Sequence, residues 1–249
     1  MRLAPLMLAL GLGLAACAPT PQTPSAPPAA DQGVYGARTD SGPNGEPIEI
    51  HAVRPAYLTD RNRRQLVPYN GPEAAGTIVV DPYARFLYHV QGDGQAMRYG
   101  VAVGQAGKNF QGNATVGRKH AWPSWTPTAN MVRTQPELYG PLKGGLRGGV
   151  DNPLGSRALY LYKGGRDTMY RIHGTMDPSS IGKATSAGCI RLFNQDIMDL
   201  FNEIPSGTQV KVRTRAESLA LEGPLVEQPN GYLAPAGGEM QTAEASAAQ

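Results

Sequence analysis

The chain has 249 residues, 23 Lys and Arg against 20 Asp and Glu for a formal charge of +3, 41% hydrophobic residues, 31 Gly, 22 Pro and two Cys. So even a balance gives no electrostatic footprint for nucleic acid, and the two cysteines leave little room for a disulfide framework.

Met1-Arg2 and the apolar run Leu3 to Ala16 read as the start and core of a signal peptide, too short to persist as a membrane span. Leu14-Ala15-Ala16-Cys17 matches a bacterial lipobox. Residues 1–16 are therefore expected to be a lipoprotein signal peptide, and Cys17 the lipidated N-terminus that anchors the chain in a membrane. Ala18, in place of an aspartate, points to the outer membrane and a periplasmic lipoprotein of the cell envelope. With Cys17 consumed by lipid, Cys189 has no disulfide partner and stays a free thiol in an oxidising compartment.

Residues 17–75 read as a Pro/Ala-rich tether followed by an extension that partly wraps the domain. Pro47 to Ile50 fits one short strand, and Arg61-Asn62-Arg63-Arg64 reads as a solvated face rather than a nucleic-acid patch. The folded body is expected over 76–213, with sixteen Lys and Arg against nine Asp and Glu, a charge that suits a polyanionic surface such as the cell wall. Short apolar runs at 77–81, 85–90, 97–103, 158–162, 169–172 and 209–212 predict strands, the first three joined as a meander by Asp81-Pro82-Tyr83-Ala84 and Gly92-Asp93-Gly94.

From Lys119 to Ser156 periodicity fades among prolines and glycines, and both tryptophans, Trp122 and Trp125, fall there. An ordered flap over a cleft fits this segment; core packing is an equal reading for each tryptophan. Asn194 is placed to cap a helix over Gln195 to Glu203, with Asp196 at its positive end and Ile197, Leu200, Phe201 and Ile204 as its apolar stripe. Many short strands and one good helix predict a mainly β fold, a β-sandwich or partly open barrel with one short helix after Cys189. The Ala-, Glu- and Gly-rich residues 214–249 read as a disordered tail.

The chemistry concentrates at Ile172-His173-Gly174-Thr175 and Ser186-Ala187-Gly188-Cys189-Ile190-Arg191-Leu192. A thiol with a pKa of ~8.5 is a poor nucleophile until a neighbouring imidazole takes its proton, so Cys189 and His173 make a minimal apparatus for acyl transfer through a thiolate and imidazolium. Gly188 permits a sharp turn, so that its amide and that of Cys189 can face a developing oxyanion. Arg191 is a candidate substrate contact or a brace for the nucleophile loop, and Ser186 a loop-positioning or substrate-binding residue. His89 and His120 lack metal-ligand spacing, and Gly144 to Gly149 lacks the P-loop lysine, so neither a metal nor any other cofactor is expected.

The sequence IHGT followed by S-x-G-C-I-R-L, with Asn152-Pro153-Leu154-Gly155 upstream, resembles the L,D-transpeptidase (YkuD-type) catalytic domain from about Gly76 to about Arg213. That resemblance implies the same fold, a backbone carbonyl at Gly174 orienting His173, and peptidoglycan tetrapeptide stems as substrates. It implies cross-linking through a thioester on Cys189 and makes the site a carbapenem target. The chain departs at Ala187, where many members carry a second histidine. Water as acceptor would give an L,D-carboxypeptidase, and an envelope-protein lysine would give wall anchoring. A wall-binding protein without catalysis is the alternative of a different class. Oligomeric state is not legible.

Overall fold

The computed structural model describes residues 30–104, 110–185 and 189–237. The expected signal peptide and Cys17 lie outside these residues, as do Ser186, Ala187 and Gly188. No helix among the described residues is long and apolar enough to cross a membrane.

The core meander is the one expected. Strands β4 (Ile78–Asp81), β5 (Phe86–Val90) and β6 (Gln95–Gly100) pair antiparallel. The Asp81 carboxylate fixes the first turn by accepting from the amides of Tyr83 and Ala84, and Asp93-Gly94 adopt the positive φ of a tight hairpin turn. Around them lie β3 (Gln65–Pro68), β7 (Ala102–Gly104), β8 (Gly112–Ala121), β9 (Arg157–Lys163), β10 (Arg166–His173), β11 (Ala184–Thr185), β12 (Ile190–Arg191) and β13 (Gln209–Val212). They form one mixed sheet of order β11-β7-β12-β10-β9-β8-β13-β4-β5-β6-β3.

Only Val101 separates β6 from β7, yet the two strands stand near opposite ends of that order. The Val101 amide donates to the Arg85 carbonyl in one half, and its carbonyl accepts from the Gly182 amide in the other. A single run of chain thus borders both halves, and the sheet curls back on itself. This is the mainly β, partly closed architecture that short strands predict.

The largest core cluster fills the curl. Ile78, Leu87, Val103, Leu159, Leu161, Ile172 and Ile190 from the strands meet Ile197 and Leu200 of the helix Asn194–Glu203 and Ile204 just past its end. Each such side chain removed from water contributes roughly 1.5–3 kcal/mol, so the helix is held by its apolar stripe more than by propensity.

Four sequence readings are corrected. Strand β8 falls in a stretch with no strand expected, because only Ala114 and Val116 of its ten residues are buried and the period-2 signal is lost. The segment from 119 to 156, read as an ordered flap with the one good helix later in the chain, begins within β8 and carries two short helices, α2 (Ala129–Thr134), capped by the Thr128 hydroxyl, and α3 (Pro136–Tyr139), which follow α1 (Ala30–Tyr35) and precede α4 (Asn194–Glu203).

Residues 214–237, read as disordered, form α5 (Arg215–Glu222) and the hairpin of β14 (Leu225–Glu227) with β15 (Leu233–Pro235). A Thr214/Glu217 capping box starts α5, and Arg85 donates to Glu227 and to the Gly231 carbonyl to fasten the hairpin. Last, Arg61 to Arg64 are not simply solvated. Arg61 lies over Phe86 and Arg64 pairs with Asp199 at 2.7 Å, while Asn62 is buried and donates to the Tyr57 and Ile181 carbonyls.

The extension therefore belongs to the fold. Strand β2 (Pro47–Ile50), where a strand is expected, pairs with β1 (Arg38–Ser41), and Tyr35 and Val53 pack with Phe193 and Ile181. Tyr35 also donates to Asp196, which stands in the first turn of α4 as expected, but fully buried. Burial raises the Asp196 carboxyl to about 7, with Arg64 opposing. A carboxyl raised on folding keeps its proton better in the folded chain, so its contribution is complete below ~pH 3.9 and is lost as pH climbs to about 7. Asp196→Asn should remove that slope, at most ~1.4 kcal/mol per pH unit, from the wild-type urea unfolding profile. An identical pH profile in both proteins would contradict it.

Candidate active site

Strands β10 and β12 run parallel, with Ile172 opposite Ile190 and His173 opposite Arg191. The two isoleucines face the core, so the alternation of the strands sends Arg171, His173, Cys189 and Arg191 to the other face. Cys189, just before β12, stands beside Arg171, and His173 is its diagonal neighbour. The two residues singled out by sequence are thus brought onto one face, although sixteen positions separate them.

His173 is buried, and its Nδ1 lies 2.7 Å from the Gly174 carbonyl. Burial pushes the imidazole down to about 3, helped by the neighbouring Arg191 charge. Burial likewise pushes the Cys189 thiol up, opposed by a hydrogen bond from the Arg171 backbone and by the Arg171 and Arg191 charges. Both shifts favour the uncharged forms, thiol and imidazole, in the resting chain. In this state the thiol points to the Met169 carbonyl at 3.7 Å.

That carbonyl is presented by a bulge. The β9/β10 register slips between Asp167 and Arg171, and Met169 sits at φ 63°. Asp167 accepts from the Met169 amide, and Thr168 bonds Leu161 and Tyr170, so the irregularity is held from both sides.

Asn194 has a different task from the helix cap read in the sequence. The residue before α4 is Phe193, and no side chain caps the helix. Asn194 Oδ1 accepts from the Ser156 and Thr175 amides at 2.9 and 3.3 Å, and its Nδ2 donates to the Thr175 carbonyl at 2.8 Å. The side chain pins the strand end after His173 to the loop before β9. Gly155, at φ 62°, and Gly174 make room for it, since a Cβ at either position would collide with Asn194 Oδ1. Asn152, buried, donates to the Leu146 and Arg147 carbonyls and accepts from the Leu154 amide, shaping the segment that reaches His173. Asn194→Ala should leave three backbone groups unpaired and lower stability by ~1–3 kcal/mol in urea unfolding. Unchanged stability would remove this role.

The long segment divides between packing and cover. Trp122 is buried and donates its indole N–H to Asp40 at 2.8 Å, so it belongs to the scaffold. Trp125 is half-buried against Tyr139 of α3. Sequence reasoning missed Arg171 and gave Asn194 a different role. The IHG motif draws the eye past Arg171, and only the parallel register places it beside Cys189. Among the described residues no cluster of His, Cys, Asp and Glu could hold a metal.

Residues 75–212 match the family model of the L,D-transpeptidase catalytic domain, YkuD. The chain belongs to that family. It is 39% identical over 138 residues to the Escherichia coli (strain K12) protein named "Probable L,D-transpeptidase YbiS", covering 55% of this chain and 44% of that protein, so it spans less than half of that relative's length. It is 35% identical over 139 residues to a Fuscovulum blasticum protein named "Putative L,D-transpeptidase in ATP synthase subunits region ORF 5", covering 54% of this chain and 68% of that protein. A Brucella melitensis crystal structure, described as a probable carnitine operon oxidoreductase, is 48% identical, with 62% of this chain and 96% of that one covered at a TM-score of 0.44.

Proposed function

We propose that the chain is an L,D-transpeptidase that cross-links peptidoglycan stem peptides through a thioester on Cys189. The observation that carries this is the placing of Cys189 and a buried, carbonyl-held His173 on one face of adjacent strands, in a chain of this family.

The Gly174 carbonyl accepts from Nδ1–H, which leaves Nε2 as the basic nitrogen. On substrate binding Nε2 takes the Sγ proton, and the Arg171 and Arg191 charges favour the thiolate. Sγ attacks the carbonyl between the third and fourth residues of a tetrapeptide stem, and the amides of Gly188 and Cys189 receive the oxyanion, a contribution of ~3 kcal/mol. The C–N bond then breaks, and His173 returns its proton to the departing D-amino acid. An amine of a second stem attacks the thioester, gives its proton to His173 and regenerates the thiol. Arg191 and Ser186 are assigned to substrate contact and loop support. An assay with a synthetic tetrapeptide donor and defined acceptors tests the reading: a cross-linked product supports it, and release of D-amino acid without amine capture would favour a carboxypeptidase.

The lipobox supports a periplasmic, lipid-anchored enzyme, with several acyl chains giving a stable anchor. Cys17→Ala is expected to move the protein from the membrane to the soluble fraction with its specific activity unchanged. Continued pelleting with membranes after signal cleavage would contradict the anchor.

A further inference from the structure

A cross-strand rank of charged and aromatic side chains leads away from Cys189, and beyond Arg171 it has no part in the steps above. Arg171, beside the thiol, is opposite Tyr160 of β9, and Tyr160 is opposite Arg118 of β8. Both guanidiniums lie over the same Tyr160 ring, 4.2 Å from its centroid for Arg171 and 3.9 Å for Arg118. Such contacts hold a cation in place while leaving its N–H groups able to bond.

The two arginines are not equivalent. Asp167 takes Arg171 in a two-pronged pair at 2.7 and 2.9 Å, which satisfies its charge. Arg118 is exposed and, among the described residues, has no carboxylate within ion-pair distance; Asp167, held by Arg171, feels its charge only from further off. Its position is also built. The β8/β9 register slips between Val116 and Arg118, and the residue at the slip is Gly117, where a Cβ would collide with the Tyr162 ring. Bulges therefore flank Tyr160 on both sides, and bulges re-aim side chains.

We propose that Arg118, fixed on Tyr160 beside Arg171, is the receiving group of an anion subsite that holds a carboxylate of the peptide donor one or two residues before the carbonyl attacked by Cys189. This inference rests on the transpeptidase reading for the identity of the donor. The distance suits it. Tyr160 stands two strand spacings from Cys189, about 10 Å, a span covered by two residues of extended peptide and an acidic side chain. A planar guanidinium with its fork open to solvent takes a carboxylate through two parallel bonds.

The test is equilibrium binding to the full chain carrying Cys189→Ala, so that bound donor is not consumed. The probes are a synthetic tetrapeptide with a free carboxylate at its second residue and the same peptide with a carboxamide there. The carboxylate peptide should bind ~10-fold tighter or more, Arg118→Met should abolish the difference, and Arg118→Lys should keep part of it. The subsite is overturned by equal affinity for the two peptides, by binding of neither, or by an Arg118→Met loss that is the same for both. Failure of the nucleophile assignment is read separately, as absent thioester in the chain with Cys189 intact and carboxylate selectivity preserved.

Discussion

Cys189→Ala is expected to abolish acyl transfer while leaving the fold in place. The thiol is half-buried at the mouth of β12 and bonds only weakly, to the Met169 carbonyl at 3.7 Å, whereas the Cys189 backbone, through its carbonyl to the Gly104 amide, carries the local structure and is kept by alanine. Cys189→Ser should be nearly as inactive. An alcohol is far less acidic than a thiol, and burial that already raises the thiol would hold a hydroxyl firmly in its neutral form. Turnover of a tetrapeptide donor, followed by release of the terminal D-amino acid, measures both variants. Substantial residual turnover in Cys189→Ala would remove the cysteine mechanism.

His173→Ala should cost ~10²-fold or more in acylation of Cys189, the scale of a lost general base. The pH dependence fixes the sign. Because burial takes the imidazole down to about 3, His173 is already the neutral, proton-accepting form throughout the neutral range. Burial also raises the thiol, which favours its protonated form there. Alkylation of Cys189 by iodoacetamide should therefore climb with pH and show no plateau between about pH 5 and 8, where a stable ion pair would give one. Such a plateau, or near-native acylation in His173→Ala, would show the base to be misassigned. The other histidines seen in the fold lie elsewhere: His89 meets Glu203 at 3.2 Å, His120 lies against the Ala121 carbonyl, and His51 is exposed, its backbone carbonyl accepting from Gln195.

The parts of the fold that could be read from the sequence are those whose burial leaves a simple pattern. The meander of β4, β5 and β6, the strands β9, β10 and β13, and the apolar stripe of α4 announce themselves through apolar runs and turn residues. Strand β8 does not, since its neighbours β9 and β13 supply the apolar surface and its own residues are mostly Gly, Asn, Thr and charge. The segment after 213 misleads for the opposite reason. Its Ala-, Glu- and Gly-rich composition looks soluble, yet Arg213, buried between Asp81 and Glu222, and Arg85 tie it to the sheet by charge.

At the site, the pairing of Cys189 with His173 is legible because each lies in a short motif. Asn194 is misread as a cap because a helix start is the commonest use for an asparagine there, and its true partners, Ser156 and Thr175, are 38 and 19 residues away. Arg118 and Arg171 carry no signal at all until the sheet register sets them on Tyr160.

The most direct measurement is mass spectrometry of the full chain mixed with a synthetic tetrapeptide donor in the absence of acceptor, quenched in acid and mapped by proteolysis. The account predicts a tripeptide acyl adduct on the peptide that contains Cys189, formed as the terminal D-amino acid appears and discharged when an amine acceptor is added. Release of the D-amino acid with Cys189 unmodified at every time, or an adduct on any other residue, would contradict it.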